Sequence, residues 1–264
     1  MLKPDSAQIM ELAQQYNTIP VYEEIYADVV TPIMLLRRMA QRSDRYYFLE
    51  SVEGGLNRGR YSFLGFHPIL RVTCRQEQVI VEEHGEKRLL EAKPFEALRQ
   101  IMGRYHAPQL EELPPFCGGL VGYFAYHSIG LAEPVLKLQQ DEFPDYDLML
   151  FEKVIAYDHL KQKIVLIVNI HTDNLLENYG KAAAELAELK QMVYDTAPLP
   201  KVRTKSKPQF TCNVSEEAYT EMVERTKQHI FAGDIFQAVI SRRFETAYED
   251  SLLNAYRVLR TTNP

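Results

Sequence analysis

The chain has 264 residues, of which 46% are hydrophobic and 25% are charged, and these proportions are typical of a folded globular protein rather than a disordered or collagen-like one. Its net charge of -6 argues against a broad nucleic-acid-binding surface. No run approaches the roughly 18 apolar residues of a membrane span, so we expect no membrane association and a cytoplasmic protein. The three cysteines form no C-x-x-C pair, and we expect them to be small buried side chains: Cys74, Cys117 and Cys212.

The first domain, 1–200, is predicted to begin with two helices around a strand. Ser6 is expected to cap the first helix, and Thr31 and Pro32 to begin the second. The β-prone segment 19–28 lies between them. Short β-prone runs separated by Gly, Asn, Pro and charged turns follow and predict an antiparallel meander.

Two more helices and a strand hairpin are predicted in the rest of this domain. The apolar residues of 94–105 recur at helical spacing after Pro94. The runs 148–158 and 163–170 are predicted to be two strands joined by the turn D-H-L-K. The segment 174–194 is rich in Ala, Leu, Glu and Lys and predicts a helix.

The segment 195–209, rich in proline and basic residues, is predicted to be a connector to a second domain, 210–264. In that domain Ser215 is expected to cap a helix that ends near Gly233, followed by one long strand over 235–245 and a last helix. A structured segment has begun here without strand partners for 235–245, so we expect the sequence to be the N-terminal part of a longer chain.

One hairpin in the first domain carries side chains that suit an amino-acid ligand. Leu49-Glu50-Ser51 ends an apolar strand, and Arg60 begins the next strand after a glycine-containing turn. A carboxylate, a hydroxyl and a guanidinium at one place can bind the ammonium and carboxylate groups of a small molecule. The alternative is a surface hairpin in which Glu50 and Arg60 form only a cross-strand ion pair.

The predicted strand 235–245 is a second candidate site. It would place four side chains on one face: Gln237, Val239, Ser241 and Arg243. A glutamine and an arginine on one face can bind a substrate that carries a carboxylate. The alternative interpretation is an amphipathic edge strand without a binding role. The seven histidines lack the spacing of metal ligands, so we expect no metal site in this chain.

Four segments, FLESVEGG, GRYSFLG, GGLVGYFAY and GDIFQAVISRRF, occur in this order over 48–244. Together they resemble anthranilate synthase component I, a family of chorismate-utilising enzymes, over essentially the whole chain. Members of that family continue for about as long again. The resemblance implies a mixed α+β fold in which antiparallel β-sheets are layered with α-helices as a sandwich, here truncated.

The resemblance also implies an activity. Component I enzymes convert chorismate and ammonia into anthranilate and pyruvate with Mg²⁺, in tryptophan biosynthesis. A glutamine amidotransferase subunit, component II, supplies the ammonia, and L-tryptophan inhibits the reaction. The family's catalytic histidine and Mg²⁺ ligands lie beyond 264, so 210–264 would only begin the chorismate-binding catalytic domain, and the fragment alone is expected to be inactive.

The resemblance further implies which residues contact tryptophan. They are the L-E-S residues, the arginine that follows them, and two residues that open the loop closing the pocket: Leu49, Glu50, Ser51, Arg60, Asn263 and Pro264.

Gln237 is implied to act on ammonia, because water-using relatives have a lysine base at this position. Water must lose a proton to become a good nucleophile, whereas neutral ammonia already has its lone pair, so an amide that orients it is sufficient.

Two other functions remain open from the sequence. The first is para-aminobenzoate (aminodeoxychorismate) synthase component I, which shares parts of the four segments. The second is a non-catalytic fragment that binds tryptophan or docks a partner.

Overall fold

The computed structural model of the protein describes residues 2–50, 59–133, 135–136, 138, 142–200, 208–249 and 251–262. The chain divides into two units, Met1–Leu199 and Pro200–Pro264. Its strands pair in antiparallel fashion and occur in runs separated by helices, which confirms the predicted α+β class.

The helices of the first unit begin largely where the sequence predicts. They are α1 (Ser6–Leu12), α2 (Pro32–Met39), α3 (Pro94–Met102), α4 (Ile129–Ala132) and α5 (Leu175–Tyr194). Thr31 caps α2 as predicted. The prediction of Ser6 as a cap is wrong by one residue: Asp5 caps α1, because its carboxylate accepts from the N–H groups of Ala7 and Gln8 while Gln8 completes a capping box.

The first sheet has five antiparallel strands in the order β1-β10-β9-β3-β2. They are β1 (Thr18–Tyr26), β2 (Tyr46–Leu49), β3 (Tyr61–Phe66), β9 (Lys153–Asp158) and β10 (Lys163–His171). The hairpin of β9 and β10 confirms the predicted D-H-L-K turn. Every residue of β10 from Ile164 to Val168 is buried, so both of its faces are covered and its sequence is a continuous apolar run.

The second sheet also has five antiparallel strands, in the order β6-β5-β4-β8-β7. They are β4 (Leu70–Arg75), β5 (Gln78–Glu83), β6 (Glu86–Leu90), β7 (Gly119–Phe124) and β8 (Tyr146–Phe151). Helix α3 covers this sheet with Ala97 and Ile101, which join the core around Val72 and Tyr146. The Tyr146 hydroxyl donates to the Pro94 carbonyl at 2.9 Å and so fixes the start of that helix.

The predicted strand over 148–158 is two strands in two different sheets. β8 ends at Phe151 and β9 begins at Lys153, so Glu152 is the single residue between these two strands. The sequence has the polar pair Glu152-Lys153 between two apolar halves, but such a pair is also compatible with one continuous strand. The break arises from pairing: β8 lies between β4 and β7, whereas β9 lies between β10 and β3.

The second unit contains α6 (Glu216–Phe231), α7 (Leu252–Thr262) and a two-stranded ribbon of β11 (Thr211–Cys212) and β12 (Phe244–Glu245). Ser215 caps α6 as predicted. The prediction of one long strand over 235–245 is wrong, because only its last two residues are a strand. A strand needs a hydrogen-bonded neighbour, and in the described part of this unit only Thr211 and Cys212 provide one.

The cysteines differ in exposure. Cys74 is buried as expected, and burial raises the pKa of its thiol to about 12. Cys117 is half-buried, and Cys212 is exposed, which corrects the expectation for that residue. Cys212 lies in β11, and no described residue of the second unit is buried. Among the described residues, no helix has the length and apolar content to cross a membrane.

Candidate functional site

The hairpin-end site is the surface where β2 ends, β3 begins and β9 turns into β10. Antiparallel pairing brings the three strand ends together, with Leu49 opposite Phe63 and Tyr61 opposite Asp158. We define the site by its described side chains: Leu49, Glu50, Arg60, Tyr61, Ser62, Asp158 and His159.

Arg60 is held by two of its nitrogens on the carboxylate of Asp158. Its Nη2 donates to Asp158 Oδ2 at 2.7 Å, and its Nε lies 3.1 and 3.2 Å from the two carboxylate oxygens. The hydrogen bond to Asp158 raises the pKa of the Arg60 guanidinium, so the side chain stays fully charged. The arrangement fixes the plane of the guanidinium as well as its charge.

Asp158 is itself anchored by the turn that follows it. Its Oδ1 accepts from the backbone N–H groups of Leu160 at 3.0 Å and Lys161 at 2.9 Å. Burial disfavours the charged carboxyl, but the hydrogen bonds from Arg60 and the turn outweigh it and hold the pKa of Asp158 below its ordinary value. The carboxylate is therefore ionised and occupies a position that the β9–β10 turn defines.

His159 ties the same turn to β3. Its Nε2 lies 2.8 Å from the Oγ of Ser62, and its backbone N–H donates to the Arg60 carbonyl at 2.8 Å. The Ser62 side chain is almost fully buried. Asp158 and His159 thus hold the start of β3 through the side chains of Arg60 and Ser62 and through the Arg60 carbonyl.

The site also has an apolar side. The Arg60 guanidinium lies 4.8 Å from the centre of the Tyr61 ring, and that ring stacks on Phe63 with 5.7 Å between centroids. The side chain of Leu49 is 45% exposed at the end of β2. An ionic group next to an aromatic and an aliphatic surface suits a ligand that is charged at one end and apolar at the other.

Three of the predicted effector residues lie at the neighbouring ends of two paired strands: Leu49 ends β2, Glu50 follows it, and Arg60 directly precedes β3. Ser51, Asn263 and Pro264 lie outside the described residues. The cross-strand alternative predicts an ion pair between Glu50 and Arg60, whereas among the described residues Arg60 forms its ion pair with Asp158.

Gln237 does not have the predicted setting. It is an exposed residue of the irregular segment before β12, so Gln237, Val239, Ser241 and Arg243 do not share a strand face. The reason is the missing strand neighbour described above. The role of Gln237 on ammonia remains a prediction.

Sequence reasoning missed Asp158 and His159. The signal available was the pair Asp-His where a buried strand ends, in a turn that the sequence does predict. Asp158 is 98 residues from Arg60 in sequence, and only the sheet order makes them neighbours.

A small cavity of about 160 Å³ lies elsewhere in the first unit, where the chain passes from one sheet to the other. Cys117, Gly118, Glu152 and Asn169 are among its lining residues. Burial raises the pKa of Glu152, while His171, with its Nε2 3.1 Å from Oε1, opposes this rise. The Asn169 amide donates to the carbonyls of Cys117 at 2.6 Å and Glu152 at 2.9 Å.

A metal site does not fit the described part of the chain. No group of three or more His, Cys, Asp or Glu side chains there is placed to hold a metal ion. Asp158 of the hairpin-end site is no exception, because its carboxylate is already bound to Arg60 and to two backbone N–H groups.

Comparisons with known proteins agree with one another. Residues 44–264 match the sequence profile of the chorismate binding enzymes. The whole chain is 37% identical over 275 residues to anthranilate synthase component 1 from Acetivibrio thermocellus, covering 56% of that protein. Over 97% of its length it is 32% identical to anthranilate synthase component 1 from Aquifex aeolicus, covering 53% of it.

A solved structure is similar as well. The crystal structure of anthranilate synthase component I from Streptococcus pneumoniae superposes with a TM-score of 0.63 at 25% identity, over 92% of this chain and 53% of that one. The chain spans about half the length of the curated relatives it matches. The profile match and the two relatives lead to one conclusion: this chain belongs to the chorismate binding enzyme family.

Proposed function

We propose that the chain is the N-terminal portion of an anthranilate synthase component I, a cytoplasmic lyase that converts chorismate and ammonia into anthranilate and pyruvate in tryptophan biosynthesis. The observation that carries the proposal is the similarity of the whole chain to proteins with this name, at 37% and 32% identity. The solved relative, which bears the same name, supports it.

Regulation by tryptophan is part of the proposal, with the hairpin-end site as the effector site. The Glu50 carboxylate would accept from the ammonium group of tryptophan, and the Arg60 guanidinium would donate to its carboxylate. Leu49 and the Tyr61 ring would cover the indole, which has both an apolar face and an N–H donor. The ionic and apolar sides of the site support this assignment.

Catalysis is proposed to need more than this chain. In the whole enzyme a glutamine amidotransferase subunit would supply ammonia, and Gln237 would orient it. Mg²⁺ is proposed as the cofactor of the whole enzyme, with no ligand assigned here, since the described residues do not fit a metal site. The fragment alone is then expected to form no anthranilate.

A chimera tests the proposal. This chain replaces the matching portion of the Acetivibrio thermocellus protein, and the fluorescence of anthranilate is followed with chorismate, ammonia and Mg²⁺. We expect anthranilate formation that tryptophan inhibits and phenylalanine does not. A matched chimera with Ser51→Phe should keep the activity and lose the inhibition, because a large side chain would fill the effector site.

Two outcomes would contradict the proposal. A folded chimera that forms aminodeoxychorismate instead of anthranilate would assign the chain to the para-aminobenzoate branch. Inhibition by tryptophan that is unchanged in the Ser51→Phe chimera would remove the effector role from this hairpin.

A further inference from the structure

We propose that Asp158 is a positioning residue of the hairpin-end site, which holds the Arg60 guanidinium so that its remaining edge binds the carboxylate of an amino-acid effector. The inference rests on the proposed effector role of that site. It adds a residue outside the four motif segments and assigns to it the selectivity for a carboxylate-bearing ligand.

The first step is the division of the guanidinium into two edges. Nε and Nη2 of Arg60 both bind Asp158, at 2.7 to 3.2 Å. Among the described residues, no protein acceptor binds Nη1. A guanidinium has five N–H donors in a rigid plane, so fixing one edge fixes the direction of the other.

The second step is that Asp158 is placed independently of any ligand. Its side chain is only 4% exposed, and two backbone N–H groups of the β9–β10 turn hold its Oδ1. The β9–β10 turn, which joins two buried strands, therefore determines the position of the Arg60 guanidinium plane through Asp158. A side chain ordered in advance loses less entropy when a ligand binds.

The third step concerns charge. Arg60 and Asp158 together are electrically neutral, so the pair attracts anions less than a lone arginine would. Its contribution to binding is directional, and a directional contribution favours one ligand over another more than it raises affinity for all anions. Asp158 should therefore affect discrimination between ligands with and without a carboxylate.

The test compares L-tryptophan with tryptamine, which lacks the carboxylate, by calorimetric titration of the 264-residue chain and of Asp158→Asn. The asparagine Oδ1 can still accept from the turn and from Nε of Arg60, but its Nδ2 cannot accept from Nη2, so the two-point contact is lost. We expect the preference for tryptophan over tryptamine to fall about tenfold, the size expected when the ligand must order one long side chain itself.

The chain offers a matched control in its second sheet. Arg71 binds Asp147 through the same two nitrogens, Nε at 2.8 Å and Nη2 at 2.5 Å. Asp147→Asn breaks an equivalent pair in the other sheet, and the preference for tryptophan should not change. Thermal unfolding of both variants shows whether either loses its fold.

The outcomes separate the positioning role from the effector site. If the chain binds tryptophan but Asp158→Asn weakens both ligands equally, or leaves or raises the preference, the positioning role is overturned and the effector site stands. If the unaltered chain binds neither ligand, or both alike, the effector proposal fails and this inference with it.

Asp158→Glu is the second variant if Asp158→Asn unfolds. It keeps the charge and moves the carboxylate by one methylene, so it disturbs the paired geometry without removing the anion. The same tenfold fall is expected from it. If neither variant folds, Asp158 serves folding alone and the positioning role is overturned.

Discussion

Gly118 is a residue at which the backbone leaves no room for a side chain. Its φ of 152° is unfavourable for other residues, and an added Cβ would lie 2.6 Å from Nδ2 of Asn169. That amide joins the carbonyls of Cys117 and Glu152. We expect Gly118→Ala to displace it and to lower the free energy of unfolding by about 2 kcal/mol, measured by urea denaturation.

Gly180 provides the control for this substitution. It lies inside α5, and an added Cβ would meet nothing within 4 Å. Gly180→Ala should raise the free energy of unfolding by about 0.5 to 1 kcal/mol, because alanine loses less backbone entropy in a helix. A Gly118→Ala variant as stable as Gly180→Ala would contradict this, because the Asn169 side chain would then have accommodated the added methyl group.

At the scale of elements, a buried arginine of another helix binds the carbonyl groups at the C-terminal end of α5. Arg38 of α2 donates from Nη1 to the carbonyls of Met192 at 3.0 Å and Val193 at 2.8 Å, and from Nη2 to that of Asp195. These carbonyls have no partner within the helix. The guanidinium thus replaces a C-terminal cap and also complements the negative end of the helix dipole.

Arg38→Met should therefore destabilise the first unit although methionine suits a buried position. Loss of hydrogen bonds to a charged donor leaves buried carbonyls unpaired, and we expect a loss of about 3 kcal/mol in chemical denaturation. Arg99→Met is the control, because Arg99 is exposed in α3 and its ion pair within the described part of the chain is with Glu96, which is exposed as well. Its effect should stay within about 0.5 kcal/mol, and equal losses in the two variants would contradict the capping role.

The elements that could be predicted from sequence are those whose pattern is local. The cap at Thr31, the turn between β9 and β10, and α5 depend on neighbouring residues only. The break at Glu152 and the lack of a strand over 235–243 depend on which segments lie alongside. An apolar, β-branched run has the same appearance in either case, so composition could not distinguish them.

For the whole molecule, the two units differ in how much they bury. The first unit contains all the buried residues in the described part of the chain, and the second contains none. Phe231, Phe236 and Val239 are each more than 80% exposed. Helices of 16 and 11 residues without a covered face have little stability of their own.

Hydrogen exchange should therefore distinguish the two units. We expect the amides of α6 and α7 to exchange near the rates of an open chain, and those of β10 to be among the slowest. Mass spectrometry of one sample gives both values, so β10 is an internal control. Protection of α6 equal to that of β10 would show that the second unit is covered in solution.

The candidate site could be predicted from the sequence only in part, because it depends on the arrangement of the whole molecule. The motifs identified Leu49, Glu50 and Arg60, because these residues are close in sequence on one hairpin. Asp158 could not be assigned as the partner of Arg60 because that pairing requires β9 to lie beside β3, which the sheet order decides. Positions that act through another residue carry no motif of their own.

The single residue between β8 and β9 limits where residues can be inserted into this chain or deleted from it. The Glu152 carbonyl accepts from both the backbone and the side-chain amide of Asn169, so the crossing point is fixed on β10. An inserted or deleted residue at this point would shift the register of one sheet and move its apolar side chains to the opposite face. Length variation is therefore expected in peripheral turns such as the one between β4 and β5, while the spacing across Glu152 stays constant.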